Sequence, residues 1–395
     1  MPEPLLAVRD LRVGFRSRHG QARAVDGLSF DLAPGEVLGV VGESGSGKSV
    51  SMMSILGLIR DPNCSIDGTA RFRGEDLIAM GDKGLRRLRG RDISMIFQDP
   101  MTSLTPVYTV GWHIAEQLGA HTKISKQAAR KRAVELLDEV GIPDPNRRVD
   151  DYPHQFSGGM RQRAVIAMGL ANNPSLLIAD EPTTALDVTT QAQILDLLRR
   201  LRADHGSSII LITHDMGVVS QLADRVLVMY AGRAVEQGPK TEVFHRPRHP
   251  YTWGLLGSVP RARAARVRRL PAIPGSPASA LTAPAGCAFA PRCRYRHDHC
   301  ADQPPLVGGE HADACWLPAD RRPELRLLSD EQAAAAGDPG QGALPGPDDR
   351  EVPAAGELAL GRPAGALSPD ERTPHAPLVD TPVGGPGGQH TGGRP

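Results

Sequence analysis

The sequence predicts an α/β protein built on a nucleotide-binding sheet, and three observations carry that reading. β-rich runs alternate with helical ones between residues 37 and 230, the pattern of a sheet layered with helices. Gly42-Glu43-Ser44-Gly45-Ser46-Gly47-Lys48-Ser49 fits G-x-x-x-x-G-K-[ST], directly after the apolar run 37–41 and before a helical pattern. A second glycine-rich turn, Ser157-Gly158-Gly159, opens the helical run 160–170 shortly before an apolar stretch ending in Asp180-Glu181.

In chain order, residues 5–12 and 27–32 read as short strands, followed by the turn Ala33-Pro34-Gly35-Glu36. The run 37–41 suits a buried strand, and Val50, Met53, Ile55 and Leu56 then mark a helix. Strand-like runs recur at 69–76 and 92–98 around a basic stretch at 83–91. Residues 109–140 look mostly helical, with an amphipathic segment at 128–140 ended by Gly141 and Pro143. Further β-rich runs at 175–179, 208–213 and 225–230 are separated by helix-like stretches at 189–202 and 216–223. Composition shifts after about residue 242, where Pro, His and aromatic residues become frequent. The chain is therefore divided into a nucleotide-binding domain at 1–242, with a helical subdomain at about 100–170, and an extension at 243–320. Residues 321–395 are rich in Pro, Gly and Ala without hydrophobic periodicity, and are expected to form a disordered tail.

The chain has 395 residues and a net charge of +1, which argues against nucleic-acid or membrane-surface binding by bulk electrostatics. No uninterrupted apolar run approaches the ~20 residues of a membrane helix. Residues 1–13 carry Glu3, Arg9, Asp10 and Arg12 and lack the apolar stretch of a secretory signal. A cytoplasmic protein is expected, touching a membrane only through a partner.

The phosphate loop assigns roles by chemistry. Its glycines let backbone N–H groups approach phosphate closely, so Gly42, Glu43, Ser44, Gly45, Ser46 and Gly47 form the cradle. Lys48 is expected to reach the β- and γ-phosphates, and Ser49 to ligate Mg²⁺. Asp180, at the tip of the strand 176–179, holds the metal through its water shell, while Glu181 is placed to polarise an attacking water. Gln98 follows the run 93–97 and suits a contact to Mg²⁺ or to that water. His214 ends the run 209–213 and suits a hydrogen bond to the γ-phosphate. Phe15 is the nearby aromatic best suited to stack on adenine, with core packing as its other reading.

Ser157, Gly158 and Gly159 make a second anion site at a helix N-terminus. One nucleotide does not easily need two such cradles from one domain, so this one is expected to serve a nucleotide held by another subunit.

The order of aromatic, phosphate loop, Gln, Ser-Gly-Gly, Asp-Glu, Asp187 and His resembles the ATP-binding cassette (ABC) ATPases over about residues 5–237. The resemblance implies a RecA-like core, an antiparallel β subdomain and a helical subdomain. It implies too that Ser157-Gly158-Gly159 closes on ATP bound by the opposing domain, with Ala185-Leu186-Asp187 as the dimer-contact loop. Phe156 and Met160 depart from the commonest form of that signature, but the phosphate-facing residues are intact. With every catalytic position present, hydrolysis is expected, which sets aside a non-hydrolysing binding module. Repair-type and translation-type members carry a coiled-coil insertion or a second cassette, and neither is visible here.

Four further segments narrow the resemblance. Phe97-Gln98-Asp99-Pro100-Met101-Thr102-Ser103-Leu104-Thr105-Pro106, Arg248-His249-Pro250-Tyr251-Thr252-Trp253-Gly254-Leu255-Leu256, Leu270-Pro271-Ala272-Ile273-Pro274-Gly275 and Gly286-Cys287-Ala288-Phe289-Ala290-Pro291-Arg292-Cys293 are similar to dipeptide/oligopeptide importer ATPase subunits. Thr105 stands where that family usually has Asn. The resemblance implies an ATP-driven motor on the cytoplasmic face of the membrane. It would pair with a second, different ATPase subunit, two permease subunits and an extracytoplasmic peptide-binding protein. Related importers also carry nickel or glutathione, and the residues that choose the substrate belong to other chains.

Cys287, Cys293, Cys300 and Cys315 crowd one segment, which in a cytoplasmic protein favours a metal site over disulfides. Four thiolates can bind Zn²⁺ or an iron–sulfur cluster, and their spacing does not choose between them. The family resemblance tilts the expectation to [4Fe–4S], since related subunits carry such a cluster in this extension.

Overall fold

The computed structural model describes residues 3–18, 20–99, 103–184, 186–259, 273–278 and 285–327. The chain divides into two units, Met1–Ala343 and Leu344–Pro395, and every described residue lies in the first.

Two sheets organise that unit. The first is antiparallel, in the order β2-β1-β4-β5, with β1 Leu6–Ser17, β2 Gly20–Leu32, β4 Cys64–Phe72 and β5 Glu75–Asp76. The second has seven strands in the order β11-β10-β9-β3-β8-β7-β6. Its parallel part comprises β3 Val37–Val41, β6 Ile93–Ile96, β7 Leu176–Asp180, β8 Ser208–Thr213 and β9 Arg225–Tyr230. Two antiparallel strands, β10 Arg233–Pro239 and β11 Ala312–Asp313, finish one edge.

The helices are α1 Lys48–Ile55, α2 Asp82–Leu88, α3 Val110–Gly119, α4 Lys126–Glu139 and α5 Pro145–Arg148, then α6 Gly158–Leu170, α7 Val188–His205, α8 Met216–Leu222, α9 Lys240–His245 and α10 Pro250–Gly257. Strand periodicity sorts the parallel sheet onto two cores, because successive side chains point to opposite faces. Val37 and Val41, Leu177 and Ala179, Ile209 and Leu211 join the large core formed with α3, α4, α6, α7 and α8. Leu38 and Val40, Leu176 and Ile178, Ile210 and Ile212 face the antiparallel sheet and Met52 and Ile55 of α1. Both faces are covered, which is why these strands read as unbroken apolar runs.

Several boundaries differ from expectation. The run 109–140 is two helices, α3 and α4, and Ser125 caps the second by accepting from Ala128 N–H at 3.2 Å. The basic stretch is helical α2, whose Asp82 pairs with Arg86 at 2.6 Å. Residues 322–327, placed in the tail by composition, are helical, and Arg322 pairs with Asp313 at 2.8 Å. The remainder of the expected tail, 328–395, lies outside the described residues. The extension and the cassette form one unit, since β11 pairs with β10 and Phe289 enters the large core.

Candidate active site

The phosphate loop leaves the C-terminal end of β3 and enters α1, placing it where parallel α/β sheets present their ligand sites. Gly42 has φ +156°, and a Cβ there would stand 2.2 Å from the Met229 carbonyl oxygen. Gly47 has φ +95°, and its Cβ would meet the Ala24 carbonyl at 2.4 Å. Both positions therefore require glycine, and the strand that supplies Ala24 seats the antiparallel sheet against the loop.

Lys48 is buried, and its Nζ donates to the carbonyls of Gly42 at 2.7 Å and Glu43 at 2.9 Å. Burial pushes its pKa down, against the opposing pull of Glu181, Asp180 and Glu43. Ser49 Oγ donates to Asp180 Oδ1 at 2.9 Å, which joins the two residues suited to a divalent cation. Burial raises the Asp180 carboxyl, and the Ser49 bond works the other way.

Glu181 collects three side chains. His214 Nδ1 lies 3.1 Å from Oε1, Gln98 Nε2 donates to Oε2 at 3.0 Å, and Thr184 Oγ1 donates to Oε2 at 2.8 Å. Burial favours the neutral acid, but the bonds from His214 and Thr184, with the charge of Lys48, outweigh it and hold the carboxyl below its usual range. The ends of β6, β7 and β8 thus gather Gln98, Asp180, Glu181 and His214 beside Lys48 and Ser49. Thr184 was not foreseen; its place on the turn three residues after Glu181 was the available signal.

Other predicted residues sit elsewhere. Phe15 is half-buried on β1 and packs against the second core; it pairs with Ala22, two residues before Ala24. Ser157 caps α6, accepting from Met160 N–H at 3.3 Å, and no atom lies within 4 Å of a Cβ built on Gly158. Among the described residues, no hydrogen bond joins this turn to the phosphate loop. It adjoins the start of α7 instead: a Gly159 Cβ would stand 2.8 Å from Thr190 Cγ2, and Thr190 is held by the capping Asp187.

The four late cysteines share a neighbourhood. Cys293 feels the charges of Cys287 and Cys300, and Cys315 that of Cys293. Among the described residues, no three His, Cys, Asp or Glu side chains close on a point as one metal ion requires. The four thiols are thus not drawn onto one point, and burial pushes Cys293 up to about 11 and Cys315 up to about 12. Their surroundings nevertheless suit sulfur ligands. Cys287, Cys293 and Cys315 each accept a backbone N–H from the residue two further on, Phe289, Tyr295 and Leu317.

A phosphate loop at the end of a parallel sheet, beside a Ser–Asp pair and a multiply bonded glutamate, defines a P-loop nucleotide hydrolase. The ABC transporter family matches residues 25–184, and the oligopeptide/dipeptide transporter C-terminal region matches residues 235–300. The chain is 53% identical to the oligopeptide transport ATP-binding protein OppD of Bacillus subtilis over 317 residues, spanning 79% of this chain and 88% of that protein. It is 51% identical to the dipeptide transport ATP-binding protein DppD of the same organism over 331 residues, spanning 83% and 98%. A solved dimeric ATP-binding cassette, MJ0796 in a post-hydrolysis state with ADP and Pi, superposes with a TM-score of 0.54 at 27% identity, covering 60% of this chain and 98% of that one. The chain belongs to the ABC transporter ATP-binding proteins that carry the oligopeptide/dipeptide transporter C-terminal region.

Proposed function

We propose that this chain is the ATP-hydrolysing motor subunit of an importer for dipeptides or oligopeptides. The observation that carries the reading is the meeting of Glu181, Gln98 and His214 beside Lys48 and the Ser49–Asp180 pair. Lys48 and the loop N–H groups bind the polyphosphate, and Ser49, Asp180 and Gln98 would hold Mg²⁺, which would supply neutralisation of the phosphate charge. Glu181, kept ionised by its partners, accepts the proton of the attacking water, while His214 and Gln98 hold its carboxylate in place. Phe15 is proposed to stack on adenine.

The outward-facing Ser157-Gly158-Gly159 turn favours a partner's ATP as its target, and a different ATPase subunit is the proposed owner. Two permeases and an extracytoplasmic binding protein complete the assembly, with this subunit peripheral on the cytoplasmic face of the membrane. No helix among the described residues is long and apolar enough to cross one. Glu181→Gln should leave ATP binding intact and lower turnover of the assembled complex by about 10²–10⁴-fold; turnover at the wild-type rate would reject the assignment.

The cysteine segment is proposed to hold [4Fe–4S], with Zn²⁺ as the alternative, on the strength of its N–H-to-sulfur bonds. Iron, sulfide and zinc content of anaerobically purified protein separates the two.

A further inference from the structure

Glu43, the second residue of the phosphate loop, is gripped by the C-terminal extension. Arg292 Nη1 lies 2.6 Å from Glu43 Oε2, and Nη2 donates to Oε1 at 3.0 Å. This is a parallel two-bond pair, the strongest geometry available between a guanidinium and a carboxylate. The Arg292 side chain is only 4% exposed. Its other donors are spent on the Pro274 carbonyl at 2.8 Å and on Tyr230 Oη at 3.3 Å. From the same side, Glu43 N–H donates to Tyr251 Oη at 2.8 Å. Tyr251 is itself fully buried and packs edge-on against Tyr230, with ring centroids 4.7 Å apart.

The third face of Glu43 belongs to the nucleotide site, because its carbonyl accepts from Lys48 Nζ at 2.9 Å. Its carboxylate charge also reaches that lysine. One loop residue therefore links the phosphate-binding lysine to two side chains of the extension. Unpaired, the Glu43 carboxylate would set a negative charge beside the place a polyphosphate must occupy. Paired with a buried, always-charged guanidinium, it is neutralised and fixed.

We propose that Arg292 and Tyr251 are positioning residues for nucleotide binding: the extension holds the phosphate loop in shape and cancels the Glu43 charge, so that it sets the affinity for ATP. The inference rests on the assignment of the loop as the ATP site and adds a second part of the chain to it. Neither residue touches the reacting atoms, so the effect belongs in affinity rather than in the chemical step.

The test uses the full-length chain and a fluorescent ATP analogue, with ATPase of the assembled complex measured at saturating ATP. Arg292→Ala should weaken binding by about 5- to 150-fold, the usual range for coupling between two sites. Turnover at saturation should stay within about twofold of wild type. Arg292→Lys keeps the charge but not the paired N–H bonds, and should fall between the two. Tyr251→Phe removes one hydroxyl and should weaken binding with an unaltered melting midpoint. It decides the matter if Arg292→Ala does not fold. Wild-type affinity in Tyr251→Phe and in whichever Arg292 variants fold overturns the inference while leaving the ATP site standing. Lys48→Ala must abolish binding; if it does not, the reading of the loop fails, and the inference with it.

Discussion

Glu181 occupies the left-handed backbone region at φ +49°, a conformation that costs a non-glycine residue of order 1–3 kcal/mol. It is held there by its own N–H, which donates to the Ile212 carbonyl at 2.8 Å, and by the three side chains on its carboxylate. Thr184→Val would remove one of those bonds, and with it part of what holds the carboxyl below its usual range. As the proposed base, Glu181 would work only when ionised, so activity should fall as pH drops through its pKa. Raising that pKa moves the acidic limb of the turnover–pH profile to higher pH, which a pH series of ATPase rates would register; an unmoved limb would detach Thr184 from the base. The sequence announced Lys48, Ser49, Asp180 and Glu181 because their spacing follows local backbone geometry. Gln98 and His214 were legible only in that company, and their meeting on one carboxylate is a matter of strand order. Thr184 was hidden by being a common turn residue. Arg292 was hidden by its distance in sequence from Glu43, which no local pattern encodes.

Among the elements, β3, β8 and β9 occupy the runs read from apolarity alone, since strands buried on both faces carry no polar interruption. The antiparallel sheet was harder to read. β2 begins at Gly20, seven residues before the expected strand, because polar positions such as the exposed Arg23 and the partly buried Asp26 pair with β1. β10 and the two-residue β11 escaped notice because a short edge pairing is created by tertiary contact. The start of α10 carries a pH-sensitive element of the same edge. His249 caps that helix by accepting from Tyr251 N–H at 3.1 Å, and its own N–H donates to the buried Glu236 at 3.0 Å. Burial lowers its pKa from 6.5 to about 4, although Glu236 pulls the other way. The unfolded chain binds this proton below about pH 6.5 and the folded chain does not, so stability falls from there down to about pH 4, by up to about 3 kcal/mol. His249→Asn keeps a capping acceptor and removes the titration. Its melting midpoint should drop less than that of the wild type between pH 7 and pH 5, and identical slopes would dismiss the effect.

At the scale of the whole molecule, the two glycine-rich helix starts are proposed to serve different nucleotides. Ser157→Ala should leave nucleotide binding by the isolated chain within about twofold of wild type, while the assembled complex loses at least about tenfold in ATPase rate. Measuring both on one preparation checks this, and loss of binding by the isolated chain would place the turn at the chain's own site. The central strand of the large sheet has a further consequence. β3 pairs with β8 on one side and β9 on the other, and has no neighbour from the residues between them and itself in sequence. During synthesis the phosphate loop therefore leaves the ribosome on a strand whose first partner follows about 170 residues later. At roughly 5–20 residues per second that is a wait of roughly 10–30 seconds. The hairpin of β1 and β2 can close at once, so the nascent chain first presents a small folded sheet tethered to an apolar strand without neighbours. A chaperone that shields Val37–Val41 has that interval in which to act.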